Sequence, residues 1–187
     1  MRRRLYLTGI SVTLFAALGA LASCADPVED ALIESLGDEV SGVRPGPFHR
    51  AGQPCLACHY DAGPGPVFSL GGTVFASPKD DVGVSDVTVT ITDALGKTRE
   101  LTSNCVGNFY VPGQADLAYP LRAEVSCTFP DGTVRRSVMG TRIERDGSCA
   151  GCHRGDPSAT SPGRVACAPA QPNPPFTPAA CAGGGRG

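Results

Sequence analysis

At 187 residues the chain has room for one domain of ordinary size, and 24 glycines, 17 prolines and no tryptophan call for turns, loops and strands around a modest core. It carries 16 basic and 18 acidic residues, a net charge of −2, and no basic patch in its body, which excludes nucleic acid as a partner.

Arg2, Arg3 and Arg4 precede an apolar stretch from Leu5 to Leu21, the shape of a secretory signal. An uncleaved anchor is the competing reading, but a bilayer core asks for about 20 residues and the stretch has 17. It ends in Leu21-Ala22-Ser23-Cys24, a small-small-Cys sequence without a role in a plain anchor. From Asp26 to Val40, Val28, Leu32, Leu36 and Val40 recur every fourth position behind an Asp26-Pro27 cap, which predicts a short amphipathic helix. Gly42 to Pro54, with prolines at 45, 47 and 54, should be an extended ordered loop.

That loop leads into Cys55-Leu56-Ala57-Cys58-His59, and the same pattern returns as Cys149-Ala150-Gly151-Cys152-His153. Between them, residues 67–143 read as strands. Val87, Val89 and Ile91 alternate with Thr88, Thr90 and Thr92, and Asp93-Ala94-Leu95-Gly96 turns the chain. Leu121, Ala123, Val125, Cys127 and Phe129 share one face opposite Arg122, Glu124, Ser126 and Thr128 before the Pro130-Asp131-Gly132 turn into Val134–Val138. Antiparallel strands joined by short turns predict a mainly β fold, a small β-sandwich. Apart from a possible Cys167–Cys181 loop, the Pro/Gly/Ala-rich tail at 167–187 is expected to be disordered. The organisation is thus a leader at 1–23, a helix and loop at 24–66, the sandwich at 67–143, a second loop at 144–166 and the tail.

Three resemblances follow. The Cys24 boundary resembles the lipobox of bacterial lipoproteins, which implies acylation of Cys24 and a membrane tether through N-terminal lipid. Alanine rather than aspartate at residue 25 points to the outer rather than the inner membrane under the familiar sorting rule. Cleavage there removes three arginines and leaves 13 basic against 18 acidic residues, a net charge of −5. The paired Cys-x-x-Cys-His motifs resemble the haem-attachment sites of c-type cytochromes. The resemblance implies two covalently attached haem c groups, thioether-bonded at Cys55, Cys58, Cys149 and Cys152, with His59 and His153 as proximal iron ligands. Gly72-Thr73-Val74-Phe75, Val87–Thr90, Asp93, Gly96-Lys97 and Gly107–Val111 are similar to the carboxypeptidase regulatory-like (transthyretin-like) domain. This implies a seven-stranded Greek-key sandwich, with haem-binding loops at both ends.

Low-spin iron takes a sixth ligand, commonly His or Met. The chain beyond the leader offers one further histidine, His49, and one methionine, Met139, six residues before Cys55 and ten before Cys149. They are the candidate distal ligands, with the assignment to either iron left open. In an exported chain the remaining cysteines, Cys105, Cys127, Cys167 and Cys181, are disulfide candidates, and neighbour pairing, Cys105–Cys127 and Cys167–Cys181, is the simplest arrangement.

The function these readings imply is single-electron transfer with redox proteins of the cell envelope, in the periplasm or at the outer membrane, and not substrate-converting catalysis. Neither a Ser-His-Asp set nor a phosphate loop is evident. Two alternatives stand beside it: a surface β-sandwich binding module whose motif cysteines are structural disulfides, and a zinc site shared by the two Cys-x-x-Cys pairs. With 89 residues between His59 and Cys149, the two motifs are either neighbours or at opposite poles.

Overall fold

The computed structural model describes residues 26–39, 41, 43, 45–168, 176 and 181. The leader and Cys24 lie outside them. The chain divides at Gly37 into two units. In the first, helix α1 (Pro27–Ser35) starts where the sequence places it, with the Asp26 carboxylate accepting from the N–H groups of Val28 and Glu29. It ends earlier than the periodicity suggests, at Leu36, and none of its residues is buried. Among the described residues no helix is long and apolar enough to cross a membrane.

The second unit is mainly β. Its strands are β1 (Phe68–Thr73), β2 (Thr88–Thr92), β3 (Thr98–Thr102), β4 (Asn108–Pro112), β5 (Arg122–Thr128) and β6 (Val134–Val138). They form two antiparallel sheets, one pairing β1 with β4 and one in the order β3-β2-β5-β6. Among the described residues there are six strands, where the resemblance implied seven.

The alternation read from the sequence decides which side chains go inside. Val89 and Ile91 of β2, and Leu121, Val125, Cys127 and Phe129 along β5, are buried, while Ala123 is half-buried. They meet Leu70, Val74, Phe109 and Val111 from the smaller sheet in one apolar core. The turns close as their residues dictate. Asp93 Oδ1 accepts from the N–H groups of Leu95 and Lys97, both at 2.9 Å, and Gly96 supplies the positive φ of 78° that the turn requires.

One expectation is corrected. The four disulfide candidates are all bonded, but as Cys105–Cys181 and Cys127–Cys167, not between sequence neighbours. The cause is the path of the tail. Ala166 forms a parallel bridge with Phe75, the Cys167 N–H donates to the Phe75 carbonyl at 3.0 Å, and Ala168 N–H donates to Ala76. This carries Cys167 into the core beside Cys127 of β5. The described tail residues, Cys167, Ala168, Phe176 and Cys181, all lie in the Cys167–Cys181 stretch. Cys167 and Ala168 are core residues, and Phe176 packs on Phe129 with ring centres 4.9 Å apart. The rest of the tail lies outside the described residues.

Digestion of the oxidised protein should release Cys105–Cys181 and Cys127–Cys167 peptides; recovery of a Cys105–Cys127 peptide would contradict the fold. Replacing Cys127 and Cys167 by alanine opens a loop of 40 residues and should lower stability by about 4 kcal/mol, read from the urea midpoint.

Candidate functional site

The two Cys-x-x-Cys-His motifs adopt the same local shape. Cys55–Ala57 forms a 3-10 turn and Cys149–Cys152 a single turn of helix, α2. In each the histidine N–H donates to the carbonyl of the first cysteine, His59 to Cys55 at 3.1 Å and His153 to Cys149 at 2.9 Å. Residues three and four apart in such a turn share one face. In the second motif, Cys149 packs against β1 at Gly72 while Cys152 is exposed.

Both turns then pack against one strand. A Cβ added at Gly71 would lie 3.2 Å from Cys55 Sγ, and one at Gly72 would lie 2.8 Å from Cys149 Sγ. Successive strand residues face opposite sides of a sheet. The face of Gly72 is shared with its cross-strand partner Phe109, which is buried; that of Gly71 is shared with Tyr110, which is half-buried. The second motif therefore lies on the core side of β1 and the first on its outer side. The free edge of β1 is taken by Gly147 and Ser148, where the Gly71 N–H donates to the Gly147 carbonyl at 3.0 Å. The motifs are neighbours across a strand, not at opposite poles.

The histidines are aimed by their backbone partners. His59 Nδ1 meets the Pro66 carbonyl at 2.6 Å, and His153 Nδ1 meets the Gly163 carbonyl at 2.9 Å. His59 is buried and lies flat on Phe68, with ring centres 4.0 Å apart and planes within 5°, and Phe68 stacks in turn on Tyr110 at 4.4 Å. With Nδ1 engaged in each motif, Nε2 is the nitrogen left to bind a metal. A Pro/Gly turn follows each motif, Gly63-Pro64-Gly65-Pro66 and Ser161-Pro162-Gly163, and it supplies the accepting carbonyl. That turn is a signal the sequence reading passed over.

Of the two distal candidates, the structure brings one to a motif. The ring of His49 lies 5.7 Å from that of His59 and within 27° of parallel. Its Nδ1 meets the Gly46 carbonyl, so all three histidines of the described chain direct Nδ1 to a main-chain oxygen. The His49 loop is tied down by Asn108 of β4. Asn108 Nδ2 donates to the carbonyls of His49 at 3.0 Å and Pro47 at 3.3 Å, and its Oδ1 accepts from Thr73 Oγ1 at 2.7 Å. Met139 follows β6 at the edge of the other sheet, its N–H bonded to the Ala123 carbonyl.

The motif thiols are all free, while the other four described cysteines are bonded. Among the described residues no group of three or more His, Cys, Asp or Glu side chains converges to hold a bare metal ion. Burial pushes the Cys149 thiol up to about 12, with repulsion from Cys55, Asp146 and Cys152 adding to it. Burial likewise pushes Cys55 up to about 11, and its thiol donates to the Gln53 carbonyl. Both thiols are thus kept protonated at neutral pH.

No family model matches the chain, and no curated protein or solved structure matches it either.

In the chain without cofactor, iodoacetamide at pH 8 should modify the exposed Cys152 well before Cys55 and Cys149, which should react fully only after denaturation; equal rates would contradict the packing on β1. Because both buried thiols titrate above the ordinary thiol value, the unfolded state loses their protons first. Their contribution to stability is complete below about pH 8.5 and is lost as pH rises toward the folded values of about 11 and about 12. Urea midpoints measured between pH 8 and 10 should fall, and should fall less in Cys149→Ala.

Proposed function

We propose that the protein is a dihaem c-type cytochrome that carries single electrons between redox proteins of the cell envelope, tethered to the membrane, the outer membrane in particular, through lipid on Cys24. One observation carries this reading. Two segments far apart in sequence each close with the histidine N–H on the carbonyl of the first cysteine, and each has free thiols and a histidine Nδ1 already bonded to a carbonyl. Thioether attachment at Cys55, Cys58, Cys149 and Cys152 needs those thiols unpaired, and axial ligation by His59 and His153 needs Nε2 open. Structural disulfides within the motifs would have required Cys55–Cys58 and Cys149–Cys152 bonds, and these four thiols are free. Ser148 Oγ, buried beside Cys149 and without a hydrogen-bond partner among the described residues, adds a polar contact that an incoming group would satisfy.

A bound haem supplies the one-electron chemistry of its iron. The chain does the rest. The carbonyls of Pro66 and Gly163 hold the Nδ1 proton of each ligand histidine and so raise the basicity of Nε2. Phe68 fixes the plane of the His59 ring. Burial of His59 excludes water from one side of its centre and biases its potential. With haem held at the first motif, His49, whose ring lies beside that of His59, would be the second protein side chain to hold the iron. Met139 remains the candidate for the second centre, from the donor inventory alone. Nothing in this scheme converts a substrate.

Expression with cytochrome c maturation machinery should yield a red protein with two haems per chain by pyridine-haemochrome assay; a colourless product would overturn the proposal in favour of a binding module. His49→Ala should turn one of the two centres high-spin and raise its potential, while Asn108→Ala, which removes the bond to the His49 carbonyl and leaves Asn104 holding Pro47, should give a mixture of spin states. Met139→Ala should lower the potential of the other centre; two unmoved potentials would remove it as a ligand.

A further inference from the structure

We propose that the free edge of β6 is a docking site for an extended, acidic segment of a partner protein, which adds to the four-stranded sheet as a further strand. The inference goes beyond the haem reading and does not rest on it.

β6 closes the order β3-β2-β5-β6, so only one of its edges is paired. The register with β5 tells which backbone groups are left. The Phe129 N–H donates to the Thr133 carbonyl, and the Met139 N–H donates to the Ala123 carbonyl. Along an antiparallel pair, hydrogen-bonded and non-hydrogen-bonded positions alternate. Arg135 and Ser137 are in step with Thr133 and Met139 and face β5, so the N–H and C=O groups of Val134, Arg136 and Val138 face the open side. Among the described residues no other segment bonds to them. An open row of this kind takes up another strand unless it is guarded or covered.

The side chains of the same three residues share one face. Val134 and Val138 are 57% and 56% exposed, and the Arg136 side chain is 72% exposed. The edge thus reads apolar, basic, apolar at alternate positions. Glu124 Oε1 stands 3.8 Å from Arg136 Nε and leaves most of that side chain in solvent. The surroundings are basic in a chain that is acidic as a whole. Residues 134–145 hold Arg135, Arg136, Arg142 and Arg145, all exposed, against Glu144 alone.

The occupant follows from this pattern. A second copy, paired antiparallel so that Val134 meets Val138, would set Arg136 against Arg136, and like charges directly opposite destabilise a strand pair. A strand of the pattern apolar-x-acid-x-apolar instead lays an aliphatic side chain on each valine and a carboxylate on Arg136. In strand addition the main chain supplies affinity and the alternate side chains supply specificity. The arginine that keeps copies apart therefore selects the acid.

The probe is the fluorescein-labelled peptide Thr-Val-Thr-Glu-Thr-Val-Thr, titrated with the full chain and read by fluorescence anisotropy. It should bind, and the same peptide with lysine in place of glutamate should not. Methylation of the backbone nitrogens of its Val, Glu and Val should abolish binding, whereas methylation of the threonines between them should not, because only the first set faces β6. Arg136→Gln should weaken binding about fivefold. Val138→Pro removes an outward N–H and leaves the ladder to β5 whole, so it should weaken binding with unchanged circular dichroism; if it does not fold, the methylated peptides decide. Equal binding of both methylated peptides would overturn the proposal in favour of plain charge attraction, and no binding of the parent peptide would overturn it outright. So would a dimer in sedimentation that the peptide dissociates, since a second copy would then hold the edge. The same binding is expected with and without haem. A negative result here therefore leaves the cytochrome reading standing, and a colourless chain leaves this inference standing.

Discussion

Two consecutive positions without side chains, Gly71 and Gly72, let a single strand be approached from both faces, and the placement of both cysteine motifs follows from this. A strand presents successive residues to opposite sides, so a Gly-Gly step opens a shallow seat on each. Cys55 fills the outer seat and Cys149 the inner one. Any larger residue at 72 would push against a cysteine that is itself wedged beside Phe109. The conformational cost of the two glycines is offset by the packing they permit, a balance seen where backbone must be closely approached.

The rest of the second unit holds β1 in place. On one side it pairs with β4, which also bears Asn108, the residue that bonds the His49 loop through Pro47 and His49. On its other edge lie Gly147 and Ser148, which deliver α2 to the inner face. Just beyond the strand, Phe75 pairs with Ala166, and the following Cys167 is bonded to Cys127 in the opposing sheet. The same stretch of tail contains Gly163, whose carbonyl meets His153. Sheet pairing, a disulfide and a histidine contact are thus linked along one short run of chain, so loss of the Cys127–Cys167 bond would be felt at the second motif as well as in the core.

The two motifs differ in their surroundings although their turns match. His59 is buried, backed by Phe68 and Tyr110, and has His49 nearby. His153 is only half-buried and sits next to exposed Cys152. Axial-ligand environment and burial are the levers that separate redox potentials, so under the proposed haem reading the unequal packing of the two motifs would give unequal potentials.

Much of the fold and the chemistry is written locally. Alternation along β2 and β5, the Asp93 and Pro130-Asp131-Gly132 turns, the Asp26 cap and the two Cys-x-x-Cys-His motifs depend on neighbours within a few residues, so pattern alone reveals them. The nearness of His49 to His59 was also within reach, because only nine residues lie between them. Tertiary structure alone decided the rest. Disulfide partners depend on which strands become neighbours, and the tail enters the core beside β1, which pairs Cys167 with Cys127 rather than with Cys181. The meeting of the two motifs depends on the faces of a strand that lies between them in sequence. Spacing fixes how a thiol and an imidazole are presented within one turn, but only the packed sheets fix what stands opposite.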